Sequence, residues 1–195
     1  MTTARLAAVL AAIDAANAAD PKIEDGQPAA RLYGERMSAM LAAFLPQASE
    51  LVQIAARGQH IERWTLPRAD YPEGKAGYYA WRNAAKKMHA ERIGGLMADA
   101  GYGPEDIAQV QAMVRKEDLR ANADAQAVED LASLVFLAHY GVDFSQGRTR
   151  EQLVDILLKT MRKMSPQAIA FAGALGLNQA VAELVAEAAQ KLNAA

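Results

Sequence analysis

A chain of 195 residues makes one domain, or one with an appendage, and its 52% apolar content, largely alanine, is ample for a core and tilts it towards helix. A net charge of -2 gives no general pull towards nucleic acid or membrane. The absence of cysteine excludes disulfides, thiolate metal sites and a cysteine nucleophile, and fits a cytoplasmic location.

The first half of the alanine-rich start, MTTARLAAVLAAIDAANAAD, allows a signal peptide, but its weak basic region and amphipathic spacing favour a first structural helix. Thr3 caps this helix, about 4–18, with Leu6, Val9, Leu10 and Ile13 on one face. Pro, Asp and Gly in 19–29 break it. A second helix, about 30–45, turns Leu32, Met37, Met40, Leu41 and Phe44 inward. A third, about 47–63, carries Leu51, Val52, Ile54, Ala55 and Ile61. The loop 65-TLPRADYPEGKAG-77 is the longest irregular stretch and a candidate rim or lid.

Helix four is expected over about 77–100, stopped by Gly101, with Gly94 and Gly95 allowing close packing inside it. Pro104 opens a fifth, about 104–117. The sixth, about 123–140, is the most apolar and reads as the central buried helix, ended by Gly141. Further helices follow over about 149–163, 166–174 and 179–193. The methionines at 37, 40, 97, 113 and 161 fall on apolar faces. Period-2 alternation, the mark of a strand, is missing, as are fixed repeats and any apolar run of ~18 residues. The expected architecture is all-α, a single bundle of about eight or nine helices over 1–195, with a core at about 30–140 and helices 149–193 packed on it.

The chemistry-bearing residues gather in 55-AARGQHIERW-64 and 86-KKMHAERIGGLMADAGYGPEDI-107. His60 and His89 sit near inner faces. Asp130 lies in the most apolar helix, where a carboxylate is costly unless paired or metal-bound. Each has a plainer reading too, as a satisfied core histidine or as an Asp130 pair with Arg57 or Arg63. On helix four, Tyr78, Arg82, Lys86 and His89 share a stripe. Arg63, Lys116 and that stripe favour an anionic ligand, most simply a phosphate, with Trp64, Trp81, Tyr78 and Tyr79 able to stack on a ring. Dinucleotide, P-loop and nucleophile-elbow motifs are missing.

The order of 54-IAARGQHIERW-64, 89-HAERIGGLMADAGYGPEDI-107 and 126-QAVEDLASL-134 resembles the HD superfamily of metal-dependent phosphohydrolases. By that likeness Gln59–His60 sits where the family has His–Asp. His89 matches the additional histidine of two-metal members, and Asp130 the final Asp. Where the family has its first histidine, 33-YGERMSAML-41 offers Glu35. The likeness implies a divalent metal (Mn, Fe or Mg) held by His60, His89 and Asp130, with Glu35 and Glu117 as catalytic carboxylates. Arg63, Trp64, Arg82, Lys86 and Lys116 would hold a phosphorylated small molecule or nucleotide. The alternative is a module that binds an anionic ligand, a short RNA or a protein partner without catalysis; extensive nucleic-acid binding is not expected.

Nearly the whole chain also resembles the family called domain of unknown function 4202. The segments that carry this likeness are 33-YGERMSAML-41, 56-ARGQHIERW-64, 67-PRADYPEGKAGYYAWRNAAKKMHAE-91, 115-RKEDL-119, 129-EDLASLVFLAHY-140 and 153-LVDILLKTMRKMSP-166. It implies no activity, so function rests on the residues.

Overall fold

The computed structural model describes residues 3–119 and 121–193. Their architecture is all-α, as the periodicity leads one to expect. In chain order the helices are α1 (Ala4–Asn17), α2 (Ala29–Phe44), α3 (Glu50–Gly58), α4 (Gly74–Asp99), α5 (Pro104–Arg115) and α6 (Ala123–Val135), then α7 (Gly141–Ser145), α8 (Arg150–Met161), α9 (Pro166–Ala174) and α10 (Gln179–Asn193). Local chemistry sets their starts. The side chains of Thr3, Ser49 and Ser165 accept from backbone N–H groups in the first turns of α1, α3 and α9. Thr149 and Gln152 close a reciprocal capping box at α8.

Four departures from the sequence reading have physical causes. Asp25 and Gly26 take positive φ and fold 23–28 into a two-rung antiparallel hairpin, β1 (Ile23–Glu24) with β2 (Gln27–Pro28). The third helix stops at Gly58, five residues early, because the chain turns sharply there. The fifth stops at Arg115, where Lys116 becomes left-handed. The sixth does not end at Gly141: it runs through a π-helical turn, Phe136–Tyr140, into α7. Gly141 keeps helical angles, and a Cβ there would lie 3.1 Å from Val181, so its smallness serves packing.

Contacts divide the chain into two compact units, one up to Val128 and one from Glu129 on, with the division inside α6. In the first, α1 packs against α2, α3 and α4, and α3 against α2, α4 and α5; α4 lies along α5. Leu6, Val9, Ile13, Met37, Ile54, Ile93, Met97, Val110 and Met113 form its core. Each large apolar side chain so buried contributes about 1.5–3 kcal/mol. Gly58 lets α3 approach its neighbours, since a Cβ there would lie 2.7 Å from Ile93 Cδ1. Gly94 and Gly95 do not share a role. A Cβ at Gly94 would lie 2.4 Å from Gln111 Nε2, whereas nothing lies within 4 Å of one at Gly95. In the second unit α8 packs on α10, through Val154, Leu157, Met161, Val181, Leu184 and Ala188. Among the described residues no helix is long and apolar enough to cross a membrane.

Candidate functional site

The site begins where α3 ends. Past Gly58 the chain folds back through two tight turns, Ile61 N–H donating to Gly58 O and Arg63 N–H to His60 O. Glu62 is left-handed, with φ of 51°. For a residue with a Cβ that costs about 1–2 kcal/mol, offset here by long-range contacts. Glu62 N–H donates to the buried Asn17 side chain at 2.9 Å, and Arg92 holds the Glu62 carboxylate at 2.8 Å. The reversal places Gln59 and His60 at the helix end and Arg63 in a short 3-10 turn, Arg63–Thr65. His60 is therefore not a mid-helix residue, as the continuous periodicity implied.

The second wall is α4. Its stripe of Arg82, Lys86 and His89 runs along one side. The loop before it is pinned: Trp81 Nε1 donates to Leu66 O at 2.9 Å, and Arg68 donates to Tyr71 O and Pro72 O. Lys116, left-handed with φ of 60° at the end of α5, supplies a third side.

These pieces enclose a cavity of about 30 Å³, lined by Gln59, His60, Arg63, Arg82, Lys86, His89 and Lys116. His60 is sandwiched between rings, with Tyr33 stacked at 4.6 Å on one side and His89 tilted at 5.8 Å on the other. His89 is 1% exposed. Its Nδ1 lies 2.7 Å from Ile61 O. A carbonyl only accepts, so Nδ1 carries the proton, and Nε2 of the neutral ring is left as a bare acceptor. Nε2 is buried with no hydrogen-bond partner, as is Gln59 Oε1. The other end of that amide is engaged, Nε2 donating to the Tyr33 hydroxyl.

Burial pushes the His89 pKa down to about 4, and nearby Arg63 reinforces the shift. His60 is held well below the ordinary imidazole value, first by burial and then by the charges of Arg63, Lys116 and Arg82. Both rings are neutral at pH 7. Burial also lowers the Arg63 pKa from its usual value. Elsewhere in the first unit arginines hold carboxylates: Arg36 with Glu24, Arg57 with Asp14, Arg92 with Glu62 and Arg115 with Glu117. Among the described residues Arg63 and Arg82 have no carboxylate within ion-pair distance; they lie instead over the rings of Trp81 and Tyr78.

Six of the residues expected at a site thus come together: His60, Arg63, Arg82, Lys86, His89 and Lys116. Within the first unit Glu35, Glu117 and Trp64 lie outside this cavity. Glu35 pairs with Arg31 at 3.0 Å and faces Arg57 at 3.9 Å. Glu117 pairs with Arg115 and is exposed. Trp64 does not line the cavity, and it is Trp81 that lies beneath Arg63. Asp130 belongs to the second unit, where its carboxylate accepts from Ser165 N–H at 2.9 Å and steadies the start of α9. Arg57 takes Asp14 in a two-pronged contact at 2.7 Å. Tyr33 and the orphaned Gln59 acceptor escaped the sequence reading, because no local spacing brings residue 33 beneath residue 60.

The donor set does not suit a divalent cation. The lining offers two imidazoles and one amide oxygen with no carboxylate, under the charges of Arg63, Arg82, Lys86 and Lys116. Among the described residues no group of three or more His, Asp or Glu is placed to hold a metal.

The model of a family described as Domain of unknown function (DUF4202) matches residues 7–185. No curated protein and no solved structure matches significantly, so the likeness to HD phosphohydrolases gains no support from these comparisons.

Proposed function

We propose that this chain, which belongs to the DUF4202 family, binds a small phosphorylated ligand in the pocket between His60 and His89. The observation that carries the reading is the pairing of opposites at one place. Arg63 and Arg82 bring positive charge without carboxylate partners, and beside them His89 Nε2 and Gln59 Oε1 are buried acceptors lacking donors. A ligand that answers both carries negative charge and also hydroxyl protons. A phosphate ester does so. Its anionic oxygens accept from the guanidinium forks. A P–OH or a sugar hydroxyl donates to His89 Nε2. The cavity, about 30 Å³, admits a water-sized group. One phosphate oxygen would enter it, with the ester side left at the rim.

A neutral imidazole with a bare Nε2 can accept a proton, but a pKa of about 4 makes it a weak base at pH 7, which favours binding over base catalysis. Under the HD-like reading His60, His89 and Asp130 would instead be the residues to hold Mn, Fe or Mg, which would supply Lewis-acid chemistry. The two readings part in one measurement. Protein purified without chelator contains no stoichiometric transition metal if the anion reading holds, whereas near one equivalent of Mn or Fe favours the metal reading.

Binding itself is tested by titration calorimetry with inorganic phosphate and ribose 5-phosphate. Arg82→Ala is expected to weaken either by about 1.5–3 kcal/mol, the value of a hydrogen bond to a charged group. Folding stability should move by less than about 1 kcal/mol. Unchanged affinity in the variant, or no binding to the parent protein at millimolar phosphate, overturns the proposal.

A further inference from the structure

The pocket has an aromatic rim that a bare phosphate would leave unused. Tyr78 and Tyr79 open the exposed side of α4 at 42% and 51% exposure. Only Tyr78 lies on the stripe of Arg82, Lys86 and His89. The Arg82 guanidinium sits 5.7 Å from the Tyr78 ring centre, and that of Arg63 sits 4.5 Å from the Trp81 ring. Tyr78 and Trp81 are themselves 6.0 Å apart. The two arginines that line the cavity therefore also touch the aromatic cluster, and the two surfaces are continuous. Trp81 is held in place by its bond to Leu66 O. Tyr78 presents open ring surface to solvent beside it.

We infer that the ligand is a nucleoside monophosphate, its phosphate between Arg63 and Arg82 and its base stacked on Tyr78. The inference rests on the phosphate-binding reading. From Tyr78 to Arg82 the helix rises by about 6 Å, so a phosphate held at Arg82 leaves the Tyr78 ring for a base carried on the same ligand. The ribose then lies at the rim, between the phosphate and the Tyr78 ring, while a P–OH enters the cavity and meets the buried acceptors. Stacking uses the π-face that every base has, so modest preference among bases is expected. A mononucleotide suits the site better than a duplex, whose bases are already stacked and whose backbone needs many cations.

The test is calorimetric titration of the full chain with AMP, ribose 5-phosphate and inorganic phosphate. AMP should bind at least about tenfold more tightly than ribose 5-phosphate, the ratio that one stacked base gives. In Tyr78→Ala that ratio should fall to about one, while Tyr78→Phe, which keeps the ring, should preserve it. Equal affinity of the parent protein for AMP and ribose 5-phosphate, or a ratio that survives Tyr78→Ala, overturns the inference and leaves phosphate binding standing. Failure of all three ligands to bind overturns both. Circular dichroism of the exposed-site variants confirms that a lost ratio is not lost folding.

Discussion

His89 is held by one end only. The Ile61 carbonyl fixes its tautomer, and the opposite nitrogen is left buried without a partner on a residue that lines the cavity. Burial then holds the ring neutral, with a pKa of about 4 against 6.5 for a free imidazole. The consequence for stability has a definite sign. Above about pH 6.5 the ring is neutral in both folded and unfolded chains, and contributes no pH dependence. Between 6.5 and 4 the unfolded chain takes up a proton that the folded chain refuses, so stability falls as pH falls. Across that window His89 alone accounts for about 3 kcal/mol. His60, shifted in the same direction by burial and then by Arg63, adds to the loss. The carboxylates held low, Glu50 chiefly by its bond to Thr3 and Glu117 chiefly by Arg115, lose their partners' benefit only further down. The interval from pH 7 to pH 5 therefore reports on the histidines. Urea unfolding at several values in that interval should show a falling midpoint, and His89→Gln should flatten the slope. A variant profile as steep as the parent's would show that the buried ring is not the proton-linked group.

At the scale of elements, α4 is the spine of the site, and its first turn is where it is most sensitive. A Cβ at Gly77 would lie 1.8 Å from the Pro72 carbonyl oxygen. Backbone cannot retreat as a flexible side chain does, so Gly77→Ala must displace the loop that Arg68 and Trp81 pin. We expect a loss on the order of 3 kcal/mol and weakened phosphate binding. Gly95, on the exposed side of the same helix, is the control. Nothing opposes a methyl there, and Gly95→Ala should stabilise by about 0.5–1 kcal/mol through helix propensity. Chemical denaturation of the two variants side by side checks both signs; a mild Gly77→Ala would mean that the loop is looser than its bonds indicate. The same helix shows what can be read from sequence and what cannot. The 4-4-3 spacing of Tyr78, Arg82, Lys86 and His89 gives their common face, because a helix has one period. Thr3 and Pro104 mark the starts of α1 and α5, because caps and a first-turn proline act within one turn. The end of α3 is hidden, because Asn17 makes its reversal from 45 positions away. Tyr33 against His60 is hidden for the same reason. Glu62 and Lys116 take positive φ without being glycine, so composition does not announce the turns.

For the molecule as a whole, a net charge of -2 conceals a local imbalance. Arg36, Arg57, Arg92 and Arg115 are each tied to a carboxylate, and their fields are largely cancelled nearby. The cations around the cavity act over a few ångströms on partly desolvated groups. Their distances are shorter than the Debye length of about 10 Å at 0.1 M salt, and burial weakens screening further. The affinity for ribose 5-phosphate should therefore fall by less than about tenfold between 50 and 500 mM NaCl. A protein that spreads 6–10 contacts along a duplex loses about 10³–10⁵ in affinity over a narrower range. Fluorescence anisotropy with a labelled duplex supplies the matching measurement. No micromolar binding is expected at 150 mM NaCl, because Arg63, Arg82, Lys86 and Lys116 gather around one small cavity, whereas a duplex needs cations spread along many phosphates. Micromolar duplex binding with a steep salt slope would mean that the pocket is one end of a larger basic surface, and the small-ligand reading would fall with it.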